Sequence, residues 1–260
     1  MNTAPNRTRN GKALLFDLDG TLIDSMPAHE QAWVIWHQRH NVAMDAVGFF
    51  ASTAGRTNDE ILRAMLPGRA AAEYAAWEDE KESLYRELAS QSLTLIAGAH
   101  DYLVASRAAG FSLAICTAST PKNMALAFNK FGLDAMVDTI TSPSDGLRGK
   151  PHPDIFLEAA RRLKIAAEHC VVFEDAPLGV EAARRAGMPA VALATTLPAS
   201  AFASFDNLIC IAADFGGVNP PDTFMTLGRR KLVSLKEFRA SIPMQATPSE
   251  ALIRQDRDRR

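Results

Sequence analysis

Short unbroken apolar runs recur along this chain, separated by stretches in which apolar residues return at helical spacing. Ala13-Leu14-Leu15-Phe16 is the first such run and ends abruptly at Asp17. Similar runs stand at residues 113–116, 170–173, 190–193 and 208–211. A strand with one wet face alternates apolar with polar residues. An unbroken run therefore predicts a strand covered on both faces, as in a parallel sheet. Helical patterns fill the intervals at 99–109, 121–131, 154–163 and 179–186. Gly110, Gly132 and Gly187 each follow one of these and suit the left-handed position that ends a helix. Strand and helix in strict alternation predict an α/β fold, a doubly wound parallel sheet of Rossmann-like type.

Residues 25–92 break that rhythm. They carry no convincing strand but several amphipathic helical segments, at 28–39, 58–65 and 70–88. Helices inserted after the first strand predict a cap domain standing as a lid over the sheet's carboxyl edge, with the core made of 10–24 plus 93–216. After Gly216 the character changes again. Pro220-Pro221 breaks the chain, and Gly228-Arg229-Arg230-Lys231 and a final Arg-Asp alternation follow. Residues 217–260 are expected to be a C-terminal surface extension, partly disordered at its end.

A length of 260 residues suits one main domain with a modest insertion. The formal charge of −2 supplies no global field for nucleic acid or an anionic membrane, so neither is an expected partner. No apolar run is long enough to span a bilayer, and the polar segment Met1 to Lys12 has no secretory h-region. Cys116, Cys170 and Cys210 lie in or beside apolar runs without metal-type spacing. They are expected to be buried thiols in a reducing compartment, which places the protein in the cytoplasm.

The chemistry begins where the first run ends, at Phe16-Asp17-Leu18-Asp19-Gly20-Thr21-Leu22. In open parallel sheets, binding groups collect beyond the strands' carboxyl ends. Two carboxylates spaced i and i+2 there can face one cavity, and Gly20 permits a tight turn close to a ligand. An Asp-x-Asp-Gly-Thr pentad arises by chance in fewer than about one chain in a hundred of this length. Later runs end in Thr117-Ala118-Ser119-Thr120 and in Glu174-Asp175. Between them, Gly149-Lys150-Pro151 sets a lysine just before a helix start. Four carboxylates gathered at one edge need a cation, and a hard, oxygen-seeking divalent ion, Mg²⁺, fits best.

In these elements and their order the chain resembles the haloacid dehalogenase superfamily, in the branch with a helical cap. The likeness runs from Ala13 to about Ala194 and is greatest to sugar-phosphate phosphatases and β-phosphoglucomutase. The resemblance implies that Asp17 is the nucleophile, forming an aspartyl-phosphate, and that Asp19 is the general acid and then base. It implies Mg²⁺ held by Asp17, the Asp19 carbonyl, Asp175 and, in or just outside that shell, Glu174. Thr117 with the backbone of Ala118 and Ser119 would grip the phosphate, and Lys150 would neutralise charge. The implied ligand is a small phosphorylated metabolite, and the expected state a monomer or weak dimer.

Two departures bear on the branch. Asp19 excludes dehalogenase chemistry, because those enzymes lack this aspartate. The mutase-like pattern has valine where Thr21 stands and arginine where Asn58 stands, with Arg56 as a substitute cap cation. Hydrolysis is therefore expected ahead of a hexose-phosphate mutase, and both ahead of a non-catalytic phosphate binder. His29 recurs at the cap hinge of the sugar-phosphate members and joins the candidate substrate-binding residues, although helix capping or packing would explain it equally. Trp33 reads first as a core aromatic, and Trp36, His37 and His40 as structural or surface residues.

Overall fold

The computed structural model of the chain describes residues 10–53 and 56–225. Strand β1 (Ala13–Phe16) is followed by the two-residue strand β2 (Ile23–Asp24). Four helices come next: α1 (Met26–Arg39), α2 (Ala46–Thr53), α3 (Asn58–Met65) and α4 (Ala71–Ser92). Strand β3 (Thr94–Leu95) then pairs antiparallel with β2, tying together the two ends of this helical insertion. The alternating part continues with α5 (Ala99–Ala108), β4 (Ser112–Cys116), α6 (Pro121–Phe131) and β5 (Thr139–Thr141). It ends with α7 (Asp154–Leu163), β6 (Cys170–Glu174), α8 (Pro177–Arg185), β7 (Ala190–Leu193), β8 (Leu208–Ala212) and α9 (Pro220–Met225).

Six strands form one sheet in the order β5-β4-β1-β6-β7-β8, and each pair in it is parallel. Successive residues of a strand face opposite ways, and here both ways lead into a core. Leu14, Phe16, Leu113, Ile115, Val171 and Phe173 pack on one face with Tyr102 and Leu103 of α5. Ala13, Leu15, Ala114, Cys116, Cys170 and Val172 pack on the other with Phe156 of α7 and Val180 of α8. This two-sided burial is why the strands read as unbroken apolar runs. The first core continues into the insertion through Trp33, Trp36, Leu62 and Tyr85.

Local signals set the helix ends that matter for the site. Thr57 and Glu60 form a reciprocal cap on α3. Thr120 caps α6 by accepting from the Asn123 amide, and Gly132 ends that helix at φ 65°. Five elements lie outside the sequence expectation: the short strands β2, β3 and β5 and the helices α2 and α9. Helix α2 contains Gly48, a poor helix former, and β5 is a three-residue strand too short to form an apolar run. Cys116 and Cys170 are buried as expected, whereas Cys210 on the outer strand β8 is half-buried. No helix among the described residues is long and apolar enough to cross a membrane. The expected C-terminal extension lies outside the described residues from position 226 onward.

Candidate active site

Phe16 is in register with Ile115 of β4 and Phe173 of β6, so three central strands end at one level. Asp17 leaves β1 there, its amide donating to the Phe173 carbonyl at 3.0 Å. Its buried carboxylate meets the ammonium of Lys150, which enters just ahead of α7. The same ammonium lies 2.5 Å from Oε1 of Glu174, the last residue of β6. The other oxygen of Glu174 accepts from the amides of Asp175 and Ala176, each at 3.2 Å. Gly179 is required opposite it, because a Cβ there would overlap the Glu174 carboxylate.

Asp175 is held by hydroxyls. Thr21 donates to its Oδ1 at 3.0 Å and Thr196, in the loop after β7, donates to its Oδ2. The carboxylate packs over Gly20, at φ 74°, where a Cβ would collide with it. Thr195 closes the arrangement by donating to the Gly20 carbonyl at 2.5 Å. Thr117 is buried, and its Oγ1 accepts from the Ser119 amide at 2.9 Å, which leaves its own hydroxyl proton free to donate. Ala118 is exposed between them.

Asp19 faces the insertion. Its Oδ1 is buried without a hydrogen bond, and Nε2 of His29, on α1, stands 3.7 Å from it. His29 stacks flat on Tyr85, with centroids 3.7 Å apart and planes 2° from parallel. On the ring's other side, Lys81 Nζ lies 2.7 Å from Nδ1 and 2.9 Å from Glu82 Oε1. An ammonium only donates, so Nδ1 accepts and the imidazole proton sits on Nε2, facing Asp19. Arg56 is exposed and donates to the Glu60 carbonyl at 3.0 Å; no contact among the described residues joins it to the cluster.

The electrostatics divide the acids. Burial, reinforced by Glu174, Asp175 and Asp19, holds the Asp17 carboxyl well above its usual range against the pull of Lys150. Burial and Glu174 push Asp175 up to about 7, with Thr196, Thr21 and Lys150 opposing. Burial pulls the Lys150 ammonium down, but Asp17 and Glu174 outweigh it and raise its pKa, so it stays charged. At Asp19 burial works upward and is outweighed by His29, Ser25 and Ser119, leaving that carboxyl low. Burial and the charge of Lys81 lower His29, which keeps it neutral.

Among the described residues no three His, Cys, Asp or Glu side chains are placed as a ready set of metal ligands. The donor chemistry nevertheless fits Mg²⁺. Asp17, Glu174 and Asp175 are buried hard oxygen donors, and the raised proton affinity of Asp17 and Asp175 shows that one ammonium does not balance the cluster. The expected core residues Asp17, Asp19, Thr117, Ser119, Lys150, Glu174 and Asp175 thus collect at one sheet edge, and His29 joins them. The sequence pattern does not single out Lys81, Tyr85 or Thr196. Thr196 carried the signal that marked Thr117, a hydroxyl just beyond an apolar strand; Lys81 sits in a charge run and carried none. Trp33, Trp36 and His37 are buried in the insertion's core.

A family model described as haloacid dehalogenase-like hydrolase matches residues 12–187. Hexitol phosphatase A of Escherichia coli is 36% identical over 182 residues, covering 70% of this chain and 82% of that protein. A β-phosphoglucomutase of Mycobacterium bovis is 31% identical over 210 residues, covering 69% of this chain and 79% of that one. The solved structure of a family IA, variant 3 hydrolase from Entamoeba histolytica aligns with a TM-score of 0.77 at 26% identity, over 84% of this chain and 99% of that one.

Proposed function

The chain belongs to the haloacid dehalogenase-like hydrolase family, and on that premise we propose that it is an Mg²⁺-dependent phosphatase of small sugar or polyol phosphates, acting through an aspartyl-phosphate at Asp17. One observation carries the reading. A buried carboxylate, Asp17, touches a fixed cation, Lys150, while the second carboxylate, Asp19, faces a neutral imidazole instead. The first arrangement suits attack on an anion and the second suits proton exchange.

In this reading an Asp17 oxygen attacks phosphorus in line with the ester oxygen. Lys150 neutralises charge shared by nucleophile and phosphoryl group, as a compact point charge can. The Thr117 hydroxyl and the Ala118 amide hold the non-transferring oxygens; the Ser119 amide supports Thr117 rather than the phosphate. The carboxyl of Asp19 starts low. A dianionic phosphoryl group beside it raises its proton affinity, so it enters the first step as an acid. It gives that proton to the leaving oxygen and, as a carboxylate, takes one from the water that releases phosphate. Asp17, the Asp19 carbonyl and Asp175, with Glu174 beside them, would hold Mg²⁺, which when bound supplies further neutralisation of the phosphoryl oxygens. Residues 25–92 serve as the cap, supported by the β2–β3 neck and by His29 and Lys81 reaching toward Asp19.

The β-phosphoglucomutase relative makes a mutase the second reading. A mutase must hold a second phosphate, but Arg56 turns to the Glu60 carbonyl and Asn58 donates to Glu82. Contact between Asp17 and Lys150 weighs against a non-catalytic binder. The three free thiols support a cytoplasmic protein. The test is phosphate release from sugar, polyol and short-acid phosphates, with Mg²⁺ and with chelator. β-Glucose 1-phosphate with a trace of bisphosphate is read for glucose 6-phosphate. Free phosphate from hexose or polyol esters, lost on chelation, is the expected outcome. Glucose 6-phosphate without free phosphate would mean a mutase.

A further inference from the structure

Helix α4 buries a lysine and a glutamate side by side. Lys81 is 2% exposed and Glu82 5%. Neighbouring residues do not share a helix face, and an apolar pair of similar volume is often at least as stable as a buried ion pair. The two charges therefore need a reason other than folding. Their contacts supply one. Lys81 Nζ donates to Glu82 Oε1 and to His29 Nδ1. Glu82 Oε1 also accepts from Asn58 at 2.5 Å, and Oε2 accepts from the side-chain amide of Asn123. The Asn123 oxygen accepts in turn from Arg86 Nη1 at 3.2 Å.

Asn123 does not belong to the insertion. It is the third residue of α6 and 3% exposed, in the turn that follows Thr117–Thr120. One run of polar contacts thus starts beside the expected phosphate loop, crosses into the insertion at Glu82, and passes through Lys81 and His29 to face Asp19.

We propose that Glu82 and Asn123 are positioning residues for the leaving-group proton, an inference that rests on the phosphatase reading. Asn123 fixes the Glu82 carboxylate where insertion and sheet domain meet. Glu82 holds the Lys81 ammonium on Nδ1 of His29. The imidazole is thereby kept in the tautomer that presents Nε2–H to Asp19. The step served is the first displacement: the bond from Asp17 to phosphorus forms, the ester P–O bond breaks, and the Asp19 proton goes to the departing oxygen. Because Asn123 and Glu82 lie on opposite sides of the seam, the acid is aligned only where the insertion closes on the core.

The test uses leaving groups that differ in their need for a proton. An alkoxide needs one, whereas 4-nitrophenolate departs without it. The value of kcat/KM covers steps only through that departure. Glu82→Gln keeps the shape, and Asn123→Ala leaves the Lys81–Glu82 pair in place; thermal unfolding reports whether each folds. Each variant should lower the ratio of kcat/KM for a hexitol phosphate to that for 4-nitrophenyl phosphate about tenfold, a part of what general-acid catalysis contributes. A merely structural role lowers both esters alike, so an unchanged ratio overturns the proposal. If Glu82→Gln does not fold, Asn123→Ala decides alone. Wild-type enzyme that hydrolyses neither ester would instead overturn the phosphatase reading on which the proposal stands.

Discussion

The hydroxyl of Thr21 donates to Oδ1 of Asp175 across 3.0 Å, joining the first acidic segment to the last across the sheet's central strands. Thr196 takes the other oxygen, so both are oriented by hydroxyls before any cation is considered. Thr21 is fully buried and its hydroxyl is used. Its difference from the mutase-like pattern therefore concerns how Asp175 is held. The weight for hydrolysis rests on Arg56 and Asn58 instead.

Thr21→Val removes the donor and keeps the shape nearly unchanged. Mg²⁺ affinity should fall about tenfold, the lower end of what losing a residue that orients a metal ligand costs. Calorimetric titration with Mg²⁺ alone reads this without turnover. Unaltered affinity in both Thr21→Val and Thr196→Val would mean that the two hydroxyls do not orient Asp175 for the cation.

Gly20 and Gly68 separate backbone strain from crowding. Both have positive φ, 74° and 81°, but a Cβ at Gly20 meets Asp175 and Thr196, whereas one at Gly68 meets nothing within 4 Å. Each alanine variant should lose roughly 1 to 2 kcal/mol of stability from the left-handed backbone. Gly20→Ala alone should also lose Mg²⁺-dependent phosphate release, because the carboxylate is displaced. Equal activity in the two variants would contradict this packing.

The sheet and its acidic edge were legible because two-sided burial writes itself as unbroken apolar runs. Asp17, Thr117 and Glu174 each stand where such a run stops, and parallel strands bring those stops together. The partners of Asp19 were not legible. Lys81 and Glu82 lie in Glu78-Asp79-Glu80-Lys81-Glu82, a run that local pattern assigns to solvent. Their burial is decided by contacts with α1, α3 and α6, distant in sequence. Arg56 illustrates the converse. Its charge and position suggested a substrate contact, but its guanidinium turns to a carbonyl of α3.

Glu82 should leave a signature in acid. Burial opposes its ionisation, but Lys81, His29 and Asn123 outweigh it and bring its carboxyl from 4.5 to about 2. A folded-state value below the unfolded one stabilises above about pH 4.5, and that contribution is lost as pH falls toward 2. The loss is on the order of 3 kcal/mol. Denaturant unfolding from pH 5 to pH 2 should therefore fall more steeply in the wild type than in Glu82→Gln. Parallel curves would contradict the environment assigned to Glu82.

Asp19→Ala tests the division of labour between the two aspartates. Turnover of a polyol phosphate should fall by about 10²- to 10⁴-fold, the range for losing a general acid–base. Mg²⁺ binding should persist, since the backbone carbonyl remains. Steady-state rates over a series of Mg²⁺ concentrations check this. Rescue by added Mg²⁺ would show that the side chain serves the cation rather than the proton.

The central claim is that phosphorus passes through Asp17, and borohydride reduction of acid-quenched enzyme tests it most directly. An acyl phosphate on an aspartate is reduced to homoserine, which peptide mass spectrometry locates. During turnover of the ester hydrolysed fastest, homoserine should form at position 17. It should require both ester and Mg²⁺ and be absent from Asp17→Asn, which keeps the fold and loses turnover. Phosphate release with Asp17 never modified, or undiminished turnover by Asp17→Asn, would contradict the account.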